Sequence, residues 1–194
     1  MAGLRRFIIA LRLKGLEATQ QLHEGYVGEA RRLLSHIACS VVDVRIGGRR
    51  LEVDVLTDNP DEVVKTLSTG LAPLEYVREV APLEGLSEEE IVNLAVSLFN
   101  DERFWEAHEA LEQVWRNKAG EEREVLSGLI KLSAAFVHAQ KGRGENSLRM
   151  LQSALNHLSR WSRERYYNVN VEALRKELEL LSMSGLLRII RIPV

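Results

Sequence analysis

Residues 41–55 read V-V-D-V-R-I-G-G-R-R-L-E-V-D-V, and this stretch decides the fold of the first part of the chain. Val42, Val44 and Ile46 alternate with Asp43 and Arg45; after Gly47-Gly48, Leu51, Val53 and Val55 alternate with Arg50, Glu52 and Asp54. A period of two places apolar side chains on one face of a strand. Glycine tolerates the positive φ that tight hairpin turns demand, so two alternating runs around Gly-Gly predict a β-hairpin.

The neighbouring segments extend this hairpin into a unit. Residues 7–13, F-I-I-A-L-R-L, read as a short buried strand. From about Glu17 to Ala38, Leu22, Tyr26, Ala30, Leu33, Leu34 and Ile37 recur at helical spacing. Asp58-Asn59-Pro60 opens a second helix, with proline suited to its first turn and Val63, Val64 and Leu67 on its apolar face. Glu75 to Val80 supplies a closing strand. The order β-α-β-β-α-β over residues 1–82 is that of a ferredoxin-like α+β domain. RNA-binding versions of that fold stack bases on aromatic rings of the central strands. Here the open sheet face is expected to carry Ile8, Ala10 and Arg12 on one strand and Arg50, Glu52 and Asp54 on another, with no ring among them.

Past the short linker 81–86, Ser87 followed by Glu90 is a capping-box signature. An all-helical domain is expected over 87–184, with helices near 88–99, 102–117, 121–141, 145–162 and 171–183. The closing residues 185–194 form a β-prone tail, expected to pack or pair against another element such as the edge of the N-terminal sheet.

Charge and composition narrow the class of partner. The 194 residues include 26 basic and 28 acidic side chains, a net charge of −2, so no polyanion-binding excess exists. Residues 1–85 carry 11 basic and 12 acidic groups, so neither half is a basic arm. Arg45, Arg49 and Arg50 crowd one hairpin, which reads as a solvated loop, and nucleic acid is not an expected partner. Cys39 is the one cysteine, so no disulfide within the chain holds the fold, and a reducing cytoplasmic location is expected. No apolar run approaches the roughly 20 residues that cross a bilayer. Arg12 and Lys14 cut short the run after Arg5-Arg6, so neither a membrane span nor a signal peptide is expected.

Polar chemistry concentrates in residues 104–116, F-W-E-A-H-E-A-L-E-Q-V-W-R. Phe104, His108, Leu111 and Trp115 share one stripe, which turns His108 toward the core. Glu112 lies one turn after His108, Glu109 and Glu112 are neighbours, and Arg116 is placed to pair with Glu112. On the next helix, apolar nearly all round, Lys131, Ala134 and His138 form the stripe with polar groups. If the two helices pack antiparallel, His108, Glu112 and His138 supply two imidazoles and a carboxylate, a donor set for a divalent metal. Glu109 is then the candidate general base or a partner of the ligands. Glu106, Glu109, Trp115, Arg116 and Lys131 are the candidate contacts for a small ligand or protein. The His-Glu-x-x-His protease spacing is absent, because Glu112 stands where the second histidine would be. His23, His36 and His157 have no clustered partners in sequence, and Trp161, Tyr166 and Tyr167 are expected to pack the final helix.

This run, together with G-L-I-K-L-S-A-A-F-V-H-A-Q-K-G and S-L-R-M-L-Q-S-A-L, resembles a small helical family of bacteria and archaea, domain of unknown function 309. Its hallmark is an aromatic-x-Glu-x-His-Glu-x-Leu-Glu-x-x-Trp helix, then a Gly-Leu-Ile helix ending in His and Gly. Glu106, His108, Glu109, Leu111, Glu112, Trp115, Gly128, Leu129, Ile130, His138 and Gly142 fall on that pattern, and the likeness covers about residues 90–160. The resemblance implies an all-α orthogonal bundle and no particular activity. Three functions follow from the residues: a ligand- or partner-binding module built on the Glu/His cluster, a metal-dependent hydrolase using His108, Glu112 and His138, and a structural homo-oligomer. Binding is the leading expectation.

Overall fold

The structure is a computed structural model that describes residues 4–13, 15, 17–81, 83–185 and 188–194. Its contacts fall into two compact units, Met1–Pro82 with Gln140–Gly142, and Leu83–Ala139 with Arg143–Val194.

The first unit carries β1 (Arg5–Arg12), α1 (Gln20–Leu33), β2 (Cys39–Ile46), β3 (Arg50–Thr57), α2 (Pro60–Gly70) and β4 (Leu74–Glu79). Every strand pair is antiparallel and the order is β2-β3-β1-β4, the split βαβ arrangement expected from sequence. Thr19 caps α1, its hydroxyl accepting from the Leu22 N–H, so that helix starts three residues later than its periodicity suggests. Ile9, Leu11, Ala30, Leu34, Val44, Val53, Val63 and Leu67 fill the core between sheet and helices.

Two expectations for the sheet are corrected. The register shifts between Val41 and Asp43, so the alternation starting at Val42 is broken by a bulge: Val41 is buried and Val42 exposed. The open face is also not a solvent face. Ile8, Ala10, Arg50, Glu52 and Asp54 are buried, and of the positions expected outside only Arg12 is exposed.

Mutual neutralisation makes that burial tolerable. Arg6 holds Asp54 bidentately at 2.9 and 2.8 Å, and Arg45 reaches Glu52 at 3.2 Å and Asp54 at 3.3 Å. Tyr76 donates to Glu52 at 3.0 Å, and Arg50 pairs with Glu75 at 3.1 Å. Arg45 lies directly across the strands from Glu52, so one register creates both the charge pair and its burial. Two of the three arginines read as a solvated loop, Arg45 and Arg50, are therefore buried ion-pair partners, and Arg49 is the exposed one.

The second unit carries α3 (Glu88–Asn100), α4 (Phe104–Trp115), α5 (Gly120–Gln140), α6 (Gly144–Leu158) and α7 (Val171–Ser184). A small hairpin, β5 (Arg165–Tyr166) and β6 (Val169–Asn170), precedes α7 and was not legible as strand. The Ser87–Glu90 capping box forms at the start of α3. Phe99, Phe104 and Phe136 meet at centroid distances of 4.8, 5.4 and 4.9 Å in the centre of the core. Gly128 lets α5 approach α6: a Cβ there would lie 2.6 Å from Leu158 Cγ. No helix among the described residues is long and apolar enough to cross a membrane.

The β-prone residues near the end of the chain take no strand. Residues 188–194 run irregularly over the helical unit, with Ile190 and Ile192 buried in its core. The Asn100 side chain, rather than a sheet edge, satisfies the backbone of Ile192. Leu186 and Leu187, part of the same expectation, lie outside the described residues.

Candidate metal centre

α4 buries Phe104, Ala107, Ala110, Leu111 and Val114, so its apolar stripe faces the core and the residues beside that stripe lie at its border. His108, Glu109 and Glu112 occupy this border, each half-buried. The side chains of His108 and Glu112 are 25% and 36% exposed, so His108 sits between core and solvent rather than in the core.

One donor atom from each of His108, Glu109 and Glu112 can be chosen so that all lie within 4.8 Å of one another. His108 Nε2 stands 3.3 Å from Glu112 Oε1, and His108 Nδ1 stands 3.4 Å from the Ile130 carbonyl oxygen on α5. A carbonyl oxygen only accepts, so the Ile130 contact is a hydrogen bond in the tautomer protonated on Nδ1, and the Glu112 contact is one in the tautomer protonated on Nε2. In the Nδ1–H tautomer, Nε2 presents its lone pair to a carboxylate that is also an acceptor. Two acceptors then face each other, and a positive charge between them resolves the conflict.

A proton on Nε2 is one such charge, a metal ion another. Two donors ~2.1 Å from one ion at tetrahedral or octahedral angles lie roughly 3.0–3.4 Å apart. The Nδ1 contact is also the usual outer partner of a ligating imidazole, since a backbone carbonyl fixes which nitrogen is free to bind. One nitrogen and two carboxylate oxygens suit zinc, manganese or a related divalent ion.

The other expected site residues fall elsewhere. His138 is not in the group within 4.8 Å. Glu106 is buried and held bidentately by Arg103 at 2.8 and 2.9 Å. Trp115 donates its indole N–H to Ser127 at 2.8 Å and lies 3.7 Å under the Arg123 guanidinium. The expected Glu112–Arg116 ion pair does not form among the described residues: Glu112 pairs with His108, and Arg116 is exposed. Lys131 is half-buried, next in sequence to the carbonyl that touches His108.

Two histidines without neighbours in sequence have partners in space. His23 is buried and lies 3.2 Å from Asp43, while His157 lies 2.8 Å from Glu124. His36 is exposed. A further cluster escaped the sequence reading because its members come from distant segments. Lys118 reaches Glu88 at 2.6 Å and Glu122 at 3.1 Å, and the hydrogen bond to Glu88 contributes most to holding its ammonium charged above the ordinary lysine range. That ammonium bridges the two carboxylates and offsets one of their two charges. Trp161 and Tyr166 are buried as packing residues, ring edge to face at 5.2 Å.

Comparison with known proteins bears on the helical unit. The crystal structure of a conserved hypothetical protein from Thermus thermophilus is 30% identical, over 47% of this chain and 94% of that one, with a TM-score of 0.41. No curated protein matches the chain. Residues 92–150, which contain all of α4 and α5, match the family described as Domain of unknown function (DUF309). Over this segment of its helical unit, the chain matches the DUF309 family.

Proposed function

We propose that the helical unit is a binding module whose ligand is a divalent metal ion, held on α4 by His108, Glu109 and Glu112. The observation that carries this reading is the 3.3 Å approach of His108 Nε2 to Glu112 Oε1 while Nδ1 faces the Ile130 carbonyl. That pairing leaves a lone pair and a carboxylate converging on one point. All three donors come from one helix and each is half-buried, so three protein ligands would leave further coordination positions to be filled. A small ligand or a partner's carboxylate would complete the coordination there, which unites the ligand-binding and metal readings of the sequence. A reducing cytoplasmic setting suits the single thiol, Cys39.

The test is elemental mass spectrometry on tag-free protein dialysed after incubation with zinc, manganese or nickel. The parent chain should retain stoichiometric metal, and the His108→Ala/Glu112→Ala variant should retain none. Absence of metal from both proteins under all three conditions overturns the proposal.

A further inference from the structure

Three contacts fix how α4 and α5 lie against each other. His108 Nδ1 meets the Ile130 carbonyl, the Trp115 indole donates to Ser127, and the Arg123 guanidinium covers the Trp115 ring. Residue numbers rise along α4 as they fall along α5, so the two helices run antiparallel. At about 100° per residue, Glu112 stands roughly 40° round α4 from His108, and Lys131 roughly 40° round α5 from Ser127. In an antiparallel pair, rotations of the same sense open toward the same side. Lys131 therefore shares the border that holds His108, Glu109 and Glu112. A helical side chain leans toward the N-terminus of its own helix, which for Lys131 is the direction of Glu112.

Lys131 is half-buried, yet it makes no ion pair or hydrogen bond among the described residues. The two other half-buried lysines of the described chain, Lys118 and Lys141, each bind a carboxylate. A partly desolvated ammonium without a counter-charge is costly, so Lys131 is the exception that needs a partner. Arg116 caps α4 one turn after Glu112, is exposed, and also has no ion pair among the described residues. Two cations thus flank the carboxylates of the site without meeting them.

We propose that the ligand completing the metal's coordination is a phosphate monoester, held by Lys131 and Arg116. This inference rests on the metal site of His108, Glu109 and Glu112. A divalent ion cancels the charges of the two glutamates and leaves those of Lys131 and Arg116 to be balanced. A phosphate monoester carries about −1.5 to −2 at neutral pH and presents three acceptor oxygens. One oxygen serves the ion, and the others serve the ammonium and the guanidinium, whose fork matches phosphate geometry. A monocarboxylate has one charge and two oxygens, too few for all three positive groups.

The test is calorimetric titration of inorganic phosphate into tag-free, zinc-loaded protein whose zinc content is measured on the same sample. The loaded parent should bind phosphate at least about tenfold more tightly than either the zinc-free chain or zinc-loaded Lys131→Gln. Arg116→Gln should weaken binding by a similar factor; its side chain is exposed, so the helix packing is untouched. Acetate should bind the parent at least about tenfold more weakly than phosphate. Zinc retained with no phosphate bound, or with equal binding by the parent and both variants, overturns the inference and leaves the metal site standing. Equal binding by the zinc-free chain, or acetate held as tightly as phosphate, also overturns it. A parent chain that retains no zinc overturns both readings.

Discussion

His108 Nε2 and Glu112 Oε1 lie 3.3 Å apart, one helical turn from each other, with the other ring nitrogen turned to the Ile130 carbonyl. The arrangement couples two helices: α4 supplies the donors and α5 sets which nitrogen is available. Glu112→Gln keeps the size of the side chain and removes its charge. It should weaken zinc binding at least about tenfold, a loss of ~1.4 kcal/mol, measured by competition with a chromogenic chelator. Unchanged affinity would exclude Glu112 as a ligand.

The buried ionic layer on the first unit's sheet gives a stability prediction. Asp54 is fully buried and is shared by Arg6 and Arg45. Asp54→Ala leaves two guanidinium groups without that partner and should destabilise the protein by about 3–5 kcal/mol in urea denaturation. A change within about ±0.5 kcal/mol, ordinary for a surface substitution, would show that the layer contributes little.

Close approach of α5 and α6 gives a second. Gly128→Ala places a methyl 2.6 Å from Leu158 Cγ and 3.2 Å from the Ala154 carbonyl oxygen. Overpacking of this kind costs about 1–3 kcal/mol, visible as a lowered Tm. Gly144→Ala, where a Cβ meets nothing within 4 Å, is the control expected to leave Tm nearly unchanged.

A pH dependence follows from Glu124. Its hydrogen bond with His157 contributes most, and Arg160 adds to it, to holding its carboxyl below the ordinary value of 4.5. A carboxylate with a depressed folded pKa stabilises the fold above its unfolded pKa, and that contribution is lost as pH falls through the folded value. The stability gap between parent and Glu124→Gln should therefore be largest above about pH 5 and close progressively in more acid solution. A gap that widens on acidification contradicts the pairing.

Local pattern carried the fold. The Gly47-Gly48 hairpin, the Asn59-Pro60 helix start and the Ser87–Glu90 box are each set by residues a few positions apart, and all three form. What local pattern could not reveal was burial by tertiary arrangement. Alternation set Glu52 and Asp54 apart from the apolar face of their strand and so predicted them exposed, and gave no sign that Arg6 and Arg45 neutralise them out of solvent. The extra residue at Val42 is equally hidden, because a bulge changes register without changing composition.

The same limit applies to the site. Helical spacing brought His108, Glu109 and Glu112 together because Glu112 lies four residues after His108 and three after Glu109, both neighbouring positions on a helix surface. Whether His138 joined them depended on how α5 lies along α4, which spacing does not encode. The Ile130 carbonyl was invisible for a related reason, since a backbone group leaves no mark in the residue pattern.

The most direct measurement is the long-range ¹H–¹⁵N spectrum of the five imidazoles at mildly alkaline pH, before and after one equivalent of zinc. His108 should begin as the Nδ1–H tautomer; zinc should then shift its Nε2 resonance and leave Nδ1 protonated. A His108 ring that ignores zinc, or one that binds it through Nδ1, contradicts the account.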